Sequence, residues 1–435
     1  MLIPSIDIAN GQTVQLIGGK EKALDAGDPI PLAQKFGRLG EVAVIDLDAA
    51  IHGKSNSEQI KNLFRYADCR VGGGIRDAQT AIDWLNAGAS KVILGTAARP
   101  EILSQLPKER VIAALDAVHS LPDGDQGSST DGEVVDQGWT RKTGATVLSR
   151  IKELKDLVGG FLITFVEREG RLAGIDLERV QEYLDAAQGT RLTVAGGVST
   201  AEQIAALDRL GVDAQVGMAI YSGKLPLADA FCAAMTSDRP DGLWPTVVVN
   251  QSGVALGMVY SNQESVERSI ETGVAHYWSR KRGLWKKGET SGATQQVQSI
   301  DFDCDRDCLK FTVVQSGSGF CHLDQATCFG AIPGIASLEA RLQERKSNPV
   351  PNSYSAKLFD SNKLLAEKLR EEADELAVAD KRQDVIHEAA DVTFFTMTKL
   401  VSQGIAWQEV VQELQKRAGK VTRRDGSVTV ESNDG

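Results

Sequence analysis

The sequence predicts a chain of three parts: a (β/α)8 barrel, a compact mostly-β metal domain and an all-α domain. Three observations carry that expectation. Eight short apolar runs alternate with amphipathic helical patterns up to about residue 235. A cysteine- and aspartate-rich stretch then sits among further short strands. Beyond Ser347-Asn-Pro-Val-Pro-Asn-Ser353 only helical periodicity remains. The expected domain bounds are 1–236, 237–335 and 345–425.

Composition narrows the function. A length of 435 residues calls for several domains, and 42% hydrophobic with 25% charged residues is ordinary for a globular protein. The net charge of −11 leaves no basic stripe to neutralise a nucleic-acid backbone. It leaves room for small phosphorylated ligands held by local loops. Six cysteines are too few for a disulfide scaffold in so long a chain, whereas a metal role suits a reducing compartment. The opening MLIPSIDIANG runs directly into an apolar strand, with no basic leader and no long apolar span. A cytoplasmic protein with no membrane insertion is expected.

In the barrel, Leu2–Asp7, Val42–Asp46, Arg70–Gly72, Lys91–Gly95, Val111–Asp116, Phe161–Phe165, Leu192–Ala195 and Ala214–Gly217 are the expected strands. Ile30–Leu39, Ala78–Ala87 and Ser199–Leu210 are helical patterns between them. A half-repeat supports closure: Gly72-Gly73-Gly74-Ile75 and Leu94-Gly95 recur as Gly196-Gly197-Val198 and Val216-Gly217, about 123 residues later. Glycines at strand ends let backbone amides approach a phosphate, so two such sets suit a ligand with a phosphate at each end. Isolated glycine turns occur without any ligand, and the repetition is what favours one. Asp7 and Asp116 end opposite strands, as a general acid and base would, or as buried hydrogen-bonded carboxyls.

Ser237-Asp-Arg-Pro-Asp-Gly242 reads as a joint. After it Thr246–Asn250, Leu256–Tyr260, Tyr277–Arg282, Leu284–Lys287 and Cys308–Val314 are strand patterns around a helix at Gln263–Thr272. Cys304, Cys321 and Cys328 are separated by sixteen and six residues. Three thiolates would hold zinc and leave a fourth position for water. Asp303, Asp305 and Asp307 alternate along an extended segment, share a face and suit magnesium. Buried cysteines and a solvated acidic turn are the alternative. Cys69, Cys232 and Cys308 fall outside the pattern and read as core.

Lys357–Ala379, Gln383–Gln403 and Trp407–Lys420 carry helical periodicity. Glu372 and Glu375 are three apart and share a face, as do Glu388 and Asp391 on the next helix. Two such faces brought together form a carboxylate nest that a divalent cation would stabilise. A charged helix surface is the alternative, but apolar Leu369, Ala373, Leu376, Ala389 and Val392 between the acids suggest a buried seam. Thr422–Gly435 reads as a polar tail.

These stretches resemble three known families. Ile6-Asp7-Ile8, Ile45-Asp46-Leu47-Asp48, GGGIRD at Gly72–Asp77, GTAA at Gly95–Ala98, Leu115-Asp116-Ala117, Gly138-Trp139 and AGGVS at Ala195–Ser199 resemble the isomerase of histidine biosynthesis that opens the ribose of a formimino-carboxamide ribotide. The resemblance implies catalysis by Asp7, Asp116 and Glu169, with Gly73, Gly74, Arg76, Gly196 and Gly197 on the substrate phosphates. Four departures mark it: Gln15 stands for an arginine, Thr164-Phe165 for Thr-Asp, Glu169 for an aspartate and Gly217-Met218 for Gly-Arg. Each lost charged ligand weakens substrate grip by about 1.5–3 kcal/mol. The barrel is therefore expected to be either an isomerase or a silent scaffold.

HYWSRKR at His276–Arg282, LWKKGETSG at Leu284–Gly292, DFDCDRD at Asp301–Asp307 and GFCHLDQATCF at Gly319–Phe329 resemble phosphoribosyl-AMP cyclohydrolase, with Lys281 replacing a serine. The resemblance makes Cys304, Cys321 and Cys328 zinc ligands and Asp303, Asp305 and Asp307 magnesium ligands. It places Arg280, Arg282, Lys287, Thr290 and Ser291 at the substrate phosphate, where the basic cluster alone would read as a solvated face; His322, next to a ligand, either shuttles protons or packs. SYSAKLF at Ser353–Phe359, KLREEADEL at Lys368–Leu376 and HEAADVTFF at His387–Phe395 resemble phosphoribosyl-ATP pyrophosphohydrolase and its helical relatives. That implies magnesium on Glu372, Glu375, Glu388 and Asp391, with Glu371 as a further ligand or base, and at least a homodimer. The expected substrates are phosphoribosyl-ATP and phosphoribosyl-AMP. A general nucleotide pyrophosphatase with a structural zinc module, or a scaffold that recruits partners, remains the alternative.

Overall fold

The structure is a computed structural model and describes residues 1–18, 21–119, 131–136, 138–323, 325–332 and 334–421. The tail expected at 422–435 lies outside the described residues.

Eight strands, rich in β-branched and aliphatic residues, close the barrel: Leu2–Ala9, Glu41–Asp46, Asp68–Gly72, Lys91–Leu94, Val111–Val118, Gly160–Phe165, Arg191–Ala195 and Asp213–Val216. All pair in parallel with their neighbours, and Leu2–Ala9 meets Asp213–Val216 to shut the ring. Ile93, Ile112, Leu162 and Ala195 fill the interior, while a larger apolar shell lies between strands and helices. The half-repeat is visible in three dimensions. Arg70 and Thr193, 123 residues apart, meet inside the barrel at 3.1 Å.

Two antiparallel hairpins extend this sheet beyond the expected strands: Gln12–Ile17 with Glu21–Gly27, and Glu133–Asp136 with Arg141–Thr146. Their second strands are largely exposed and polar, so they lack the apolar alternation that signals a strand.

The middle part is a six-stranded sheet in the order Gly283–Lys286, His276–Ser279, Ala255–Ser261, Trp244–Asn250, Leu309–Gln315 and Gln295–Phe302. Only the pair Trp244–Asn250 and Leu309–Gln315 is parallel. The edge strand Gln295–Phe302 (QQVQSIDF) escaped the sequence pattern because glutamines hold several of its positions. It delivers Asp301 and Phe302 to the start of the aspartate loop. Helix Gln263–Thr272 falls as expected, started by a capping box in which Asn262 and Ser265 bond each other's backbone.

One apolar core continues from the barrel into this sheet, taking in Phe231, Trp244, Val248, Tyr277 and Phe311. At the join, the Phe231 and Phe302 rings lie 5.2 Å apart, and Arg38 donates to the Ile270 carbonyl at 3.2 Å.

The helical part has its own cores: Leu342, Met397 and Val401 in one, Leu358, Leu365 and Phe395 in the other. Helix Gly334–Ser347 belongs to it and was not anticipated, since its second half is dense in charge. The single helix expected over Lys357–Ala379 is two, Tyr354–Asp360 and Asn362–Val378. Ser361 breaks it: its backbone is extended, and its hydroxyl accepts the Leu364 N–H at 3.2 Å to start the second helix. Arg382–Ser402 and Trp407–Ala418 follow. Among the described residues no helix is long and apolar enough to cross a membrane.

Candidate functional site

The cysteines are not gathered as a trio. Cys321, buried, follows the turn at Gly319 and hydrogen-bonds through its thiol to Cys328; Cys304 is exposed, and the three thiols do not form a cluster with all donor atoms within 4.8 Å. Burial, with Cys321 alongside, pushes the Cys328 thiol up. Lys287 is buried next to both thiols, 5.1 Å from the Phe320 ring, and burial lowers its ammonium below the usual lysine range. Its charge opposes the rise of the Cys328 thiol without overcoming burial.

Arg280 and Arg282 sit at the hairpin between His276–Ser279 and Gly283–Lys286, over the rings of Tyr260 (5.0 Å) and Trp285 (5.2 Å). They are thus separate from Lys287 in environment. Thr290, Ser291 and His322 are exposed, and the Ser291 hydroxyl accepts the Ala293 N–H.

Asp303, Asp305 and Asp307 do converge, with ligand oxygens within 4.8 Å of one another. The Asp303 carboxylate also accepts the Asp307 and Cys308 N–H groups at 3.1 and 3.2 Å, which curls the loop. Its neighbour Asp305, then Asp303, raise the Asp307 carboxyl.

On the helices, Glu372, Glu388 and Asp391 form the other such cluster among the described residues. Glu375 completes the nest by a side-chain hydrogen bond to Glu388. Burial raises Glu372 and Glu388, with the neighbouring carboxylates adding to it. Glu371 points to Lys368 instead, at 2.8 Å.

The barrel mouth brings three acids together. Asp7 is pushed up to about 7 by burial, with a Gln15 hydrogen bond opposing. Asp116 is raised by burial while Thr164 and Trp139 donate to it. Glu169 is pushed up to about 8, first by burial, then by the charges of Asp7 and Asp116. Tyr221, missed from the sequence, packs near Asp7 and donates to the Ser5 carbonyl at 2.9 Å. Only its chain position just past the last barrel strand pointed there.

The repeated glycines are forced by close packing. Gly73 and Gly196 have φ of +93° and +83°, and a Cβ would lie 2.3 Å from the Asp46 carbonyl and 2.5 Å from that of Phe165. Asp46 and Phe165 each end the preceding strand. Gly74 and Gly197 have positive φ as well, and Arg76 is exposed beside the first set, reaching the Ala49 carbonyl at 3.4 Å.

A barrel with glycine-lined strand ends, joined to a domain bearing paired thiols and clustered carboxylates and to an acid-lined helical domain, defines a multidomain protein with several sets of candidate metal donors. Family comparisons resolve it further. Residues 1–226 match the model of the "Histidine biosynthesis protein" family, 257–330 that of phosphoribosyl-AMP cyclohydrolase and 335–418 that of phosphoribosyl-ATP pyrophosphohydrolase. The chain belongs to the histidine-biosynthesis family, with an isomerase-like barrel ahead of cyclohydrolase and pyrophosphohydrolase domains.

Among its relatives, the histidine biosynthesis bifunctional protein his7 of Schizosaccharomyces pombe is 49% identical over 207 residues, 48% of this chain and 50% of that protein. A histidine biosynthesis trifunctional protein of Komagataella pastoris is 47% identical over 203 residues, 47% of this chain but 24% of that one. The bifunctional protein HisIE of Pyrococcus furiosus is 35% identical over 196 residues, 41% of this chain and 93% of that protein. The match thus spans half or less of the two yeast relatives' length.

Proposed function

We propose that the chain performs two consecutive hydrolyses of histidine biosynthesis in the cytoplasm. The helical domain releases pyrophosphate from phosphoribosyl-ATP, and the middle domain then adds water to the adenine ring of phosphoribosyl-AMP, opening the N1–C6 bond. The observation that carries this reading is the presence on one chain of two donor sets of opposite hardness, the Cys321–Cys328 pair and the Glu372, Glu375, Glu388 and Asp391 nest.

The donor chemistry fits zinc on Cys304, Cys321 and Cys328 and magnesium on the two carboxylate clusters. Zinc supplies Lewis acidity that brings the pKa of a bound water toward neutrality, and magnesium neutralises phosphate charge. Within the chain, Lys287 lies beside the thiol pair, Arg280, Arg282, Thr290 and Ser291 bind the ribotide phosphate, and His322 moves the proton. The working unit is a homodimer. Cys304 is exposed and forms no close three-thiol cluster within one chain, and exposed Leu323 and Phe329 flank the cysteine pair, where a second copy would cover them.

A second reading concerns the barrel: isomerisation of the ring-opened ribotide. Asp7, Asp116 and Glu169 favour it, because all three buried carboxyls are raised, Asp7 to about 7 and Glu169 to about 8, and such groups hand protons both ways. The deciding experiment supplies phosphoribosyl-ATP, zinc and magnesium to the purified chain and identifies the end product by mass. Accumulation of phosphoribosyl-ATP or phosphoribosyl-AMP overturns the first reading. A stop at the unisomerised formimino ribotide overturns the second.

A further inference from the structure

Arg306, in the middle of the aspartate loop, spends its whole guanidinium on two tasks. Its Nε and Nη2 donate to both oxygens of Asp208 at 3.1 and 3.0 Å, a two-toothed ion pair. Its Nη1 donates to the Asp303 carbonyl at 2.8 Å. Asp208 is not part of the metal domain. It lies on the barrel helix Ala201–Arg209, and the pair is mostly shielded, at 12% exposure for Asp208 and 22% for Arg306.

Two more contacts tie the same residue, one directly and one through Phe302, to the barrel side. The Thr236 N–H donates to the Arg306 carbonyl at 2.8 Å. The guanidinium lies 4.2 Å from the Phe302 ring centre, and Phe302 in turn packs on Phe231 of the barrel. These contacts hold a backbone that Arg306 does not favour by itself: its φ is +66°, in the left-handed region that disfavours a side chain by about 1–2 kcal/mol. The curl on which Asp303, Asp305 and Asp307 converge is centred on that residue.

We propose that Asp208 is a positioning residue for the cyclohydrolase step: by clamping Arg306 it holds the loop of Asp303, Asp305 and Asp307 in the shape that takes a divalent cation. The barrel is then a template for a neighbouring active site, whatever its own chemistry. This rests on the reading of those three aspartates as cation ligands. An ordered loop forgoes the entropy of arranging three carboxylates when the ion arrives, so loosening the clamp weakens cation uptake at this place.

The test uses the full chain, Mn2+ as probe and hydrogen exchange of the peptide covering 303–308 as readout. With wild type, rising Mn2+ protects this peptide. Asp208→Asn moves the midpoint of that protection to roughly tenfold higher Mn2+, Asp208→Glu returns it toward wild type, and pyrophosphate release stays unchanged as the internal control. Arg306→Gln, which leaves the barrel untouched, gives the same displacement and covers the case in which Asp208→Asn disturbs the helix. Identical midpoints in wild type and Arg306→Gln overturn the proposal. Absence of any Mn2+ protection in wild type overturns the underlying reading of the aspartates, and the proposal with it.

Discussion

The side-chain amide of Gln15 donates to the Asp7 carboxylate at 3.2 Å, deep in the barrel mouth. Where the isomerase pattern has a permanent cation, this chain has a neutral donor. The hydrogen bond lowers the Asp7 carboxyl, but burial outweighs it, and Glu169 is raised alongside.

That balance has a pH signature. A carboxyl raised in the fold contributes stability that is full below its unfolded value of 4.5 for Glu169 and is lost as pH rises through about 8. Glu169→Gln should therefore melt like wild type near pH 4 and above it at pH 8.5, by an amount on the order of a few kcal/mol. Melting curves that stay parallel across this range would contradict the assignment.

The two hydrolytic sites should separate by mutation. Cys321→Ser is expected to reduce ring opening about a hundredfold or more and spare pyrophosphate release, because a thiol ligand is lost from one domain only. Glu375→Gln should do the converse. Ring opening followed by absorbance and pyrophosphate followed by a coupled assay report this, and loss of both activities in either folded variant would count against separate sites.

The acid nest should betray itself in metal-free protein. Glu388 is raised by burial and by Glu375, so its charged form is held less readily than in a free carboxylate. Glu388→Gln should raise the melting midpoint of the chelated protein and lower it relative to wild type once Mg2+ is added. A substitution effect of one sign in both conditions would rule out cation binding by this cluster.

Glycine at the barrel's strand ends is a matter of space as well as torsion. Gly73→Ala puts a methyl 2.3 Å from the Asp46 carbonyl, whereas Gly253→Ala, with φ of +76°, meets nothing within 4 Å. The second should cost about 1–2 kcal/mol from torsion alone and the first clearly more, measured by denaturant unfolding. Equal costs would mean the Asp46 loop yields freely.

How much of this was legible in sequence depended on whether the signal was local. The eight barrel strands announced themselves as apolar runs, and the Gly73 and Gly196 sets as a repeat. Glu372, Glu375, Glu388 and Asp391 were readable because helical spacing fixes which side chains share a face. The edge strand Gln295–Phe302 and the break at Ser361 were not, since one is polar and the other rests on a single capping hydroxyl. Spacing suggested one cysteine trio; the fold hydrogen-bonds Cys321 to Cys328, and Cys304 is exposed. The Asp208–Arg306 clamp spans 98 residues, and no periodicity could reveal it.

The unbroken apolar interior shared by the barrel and the six-stranded sheet makes the chain two mechanical units. A protein cut at the Ser237–Gly242 joint would leave Phe231 and Trp244 wet and both fragments prone to clump. One stopped just before Gly334 would keep most of that interior but lose Val421, which packs against it, and the bonds that Asn86 and Arg110 make to Val421 and Gly419.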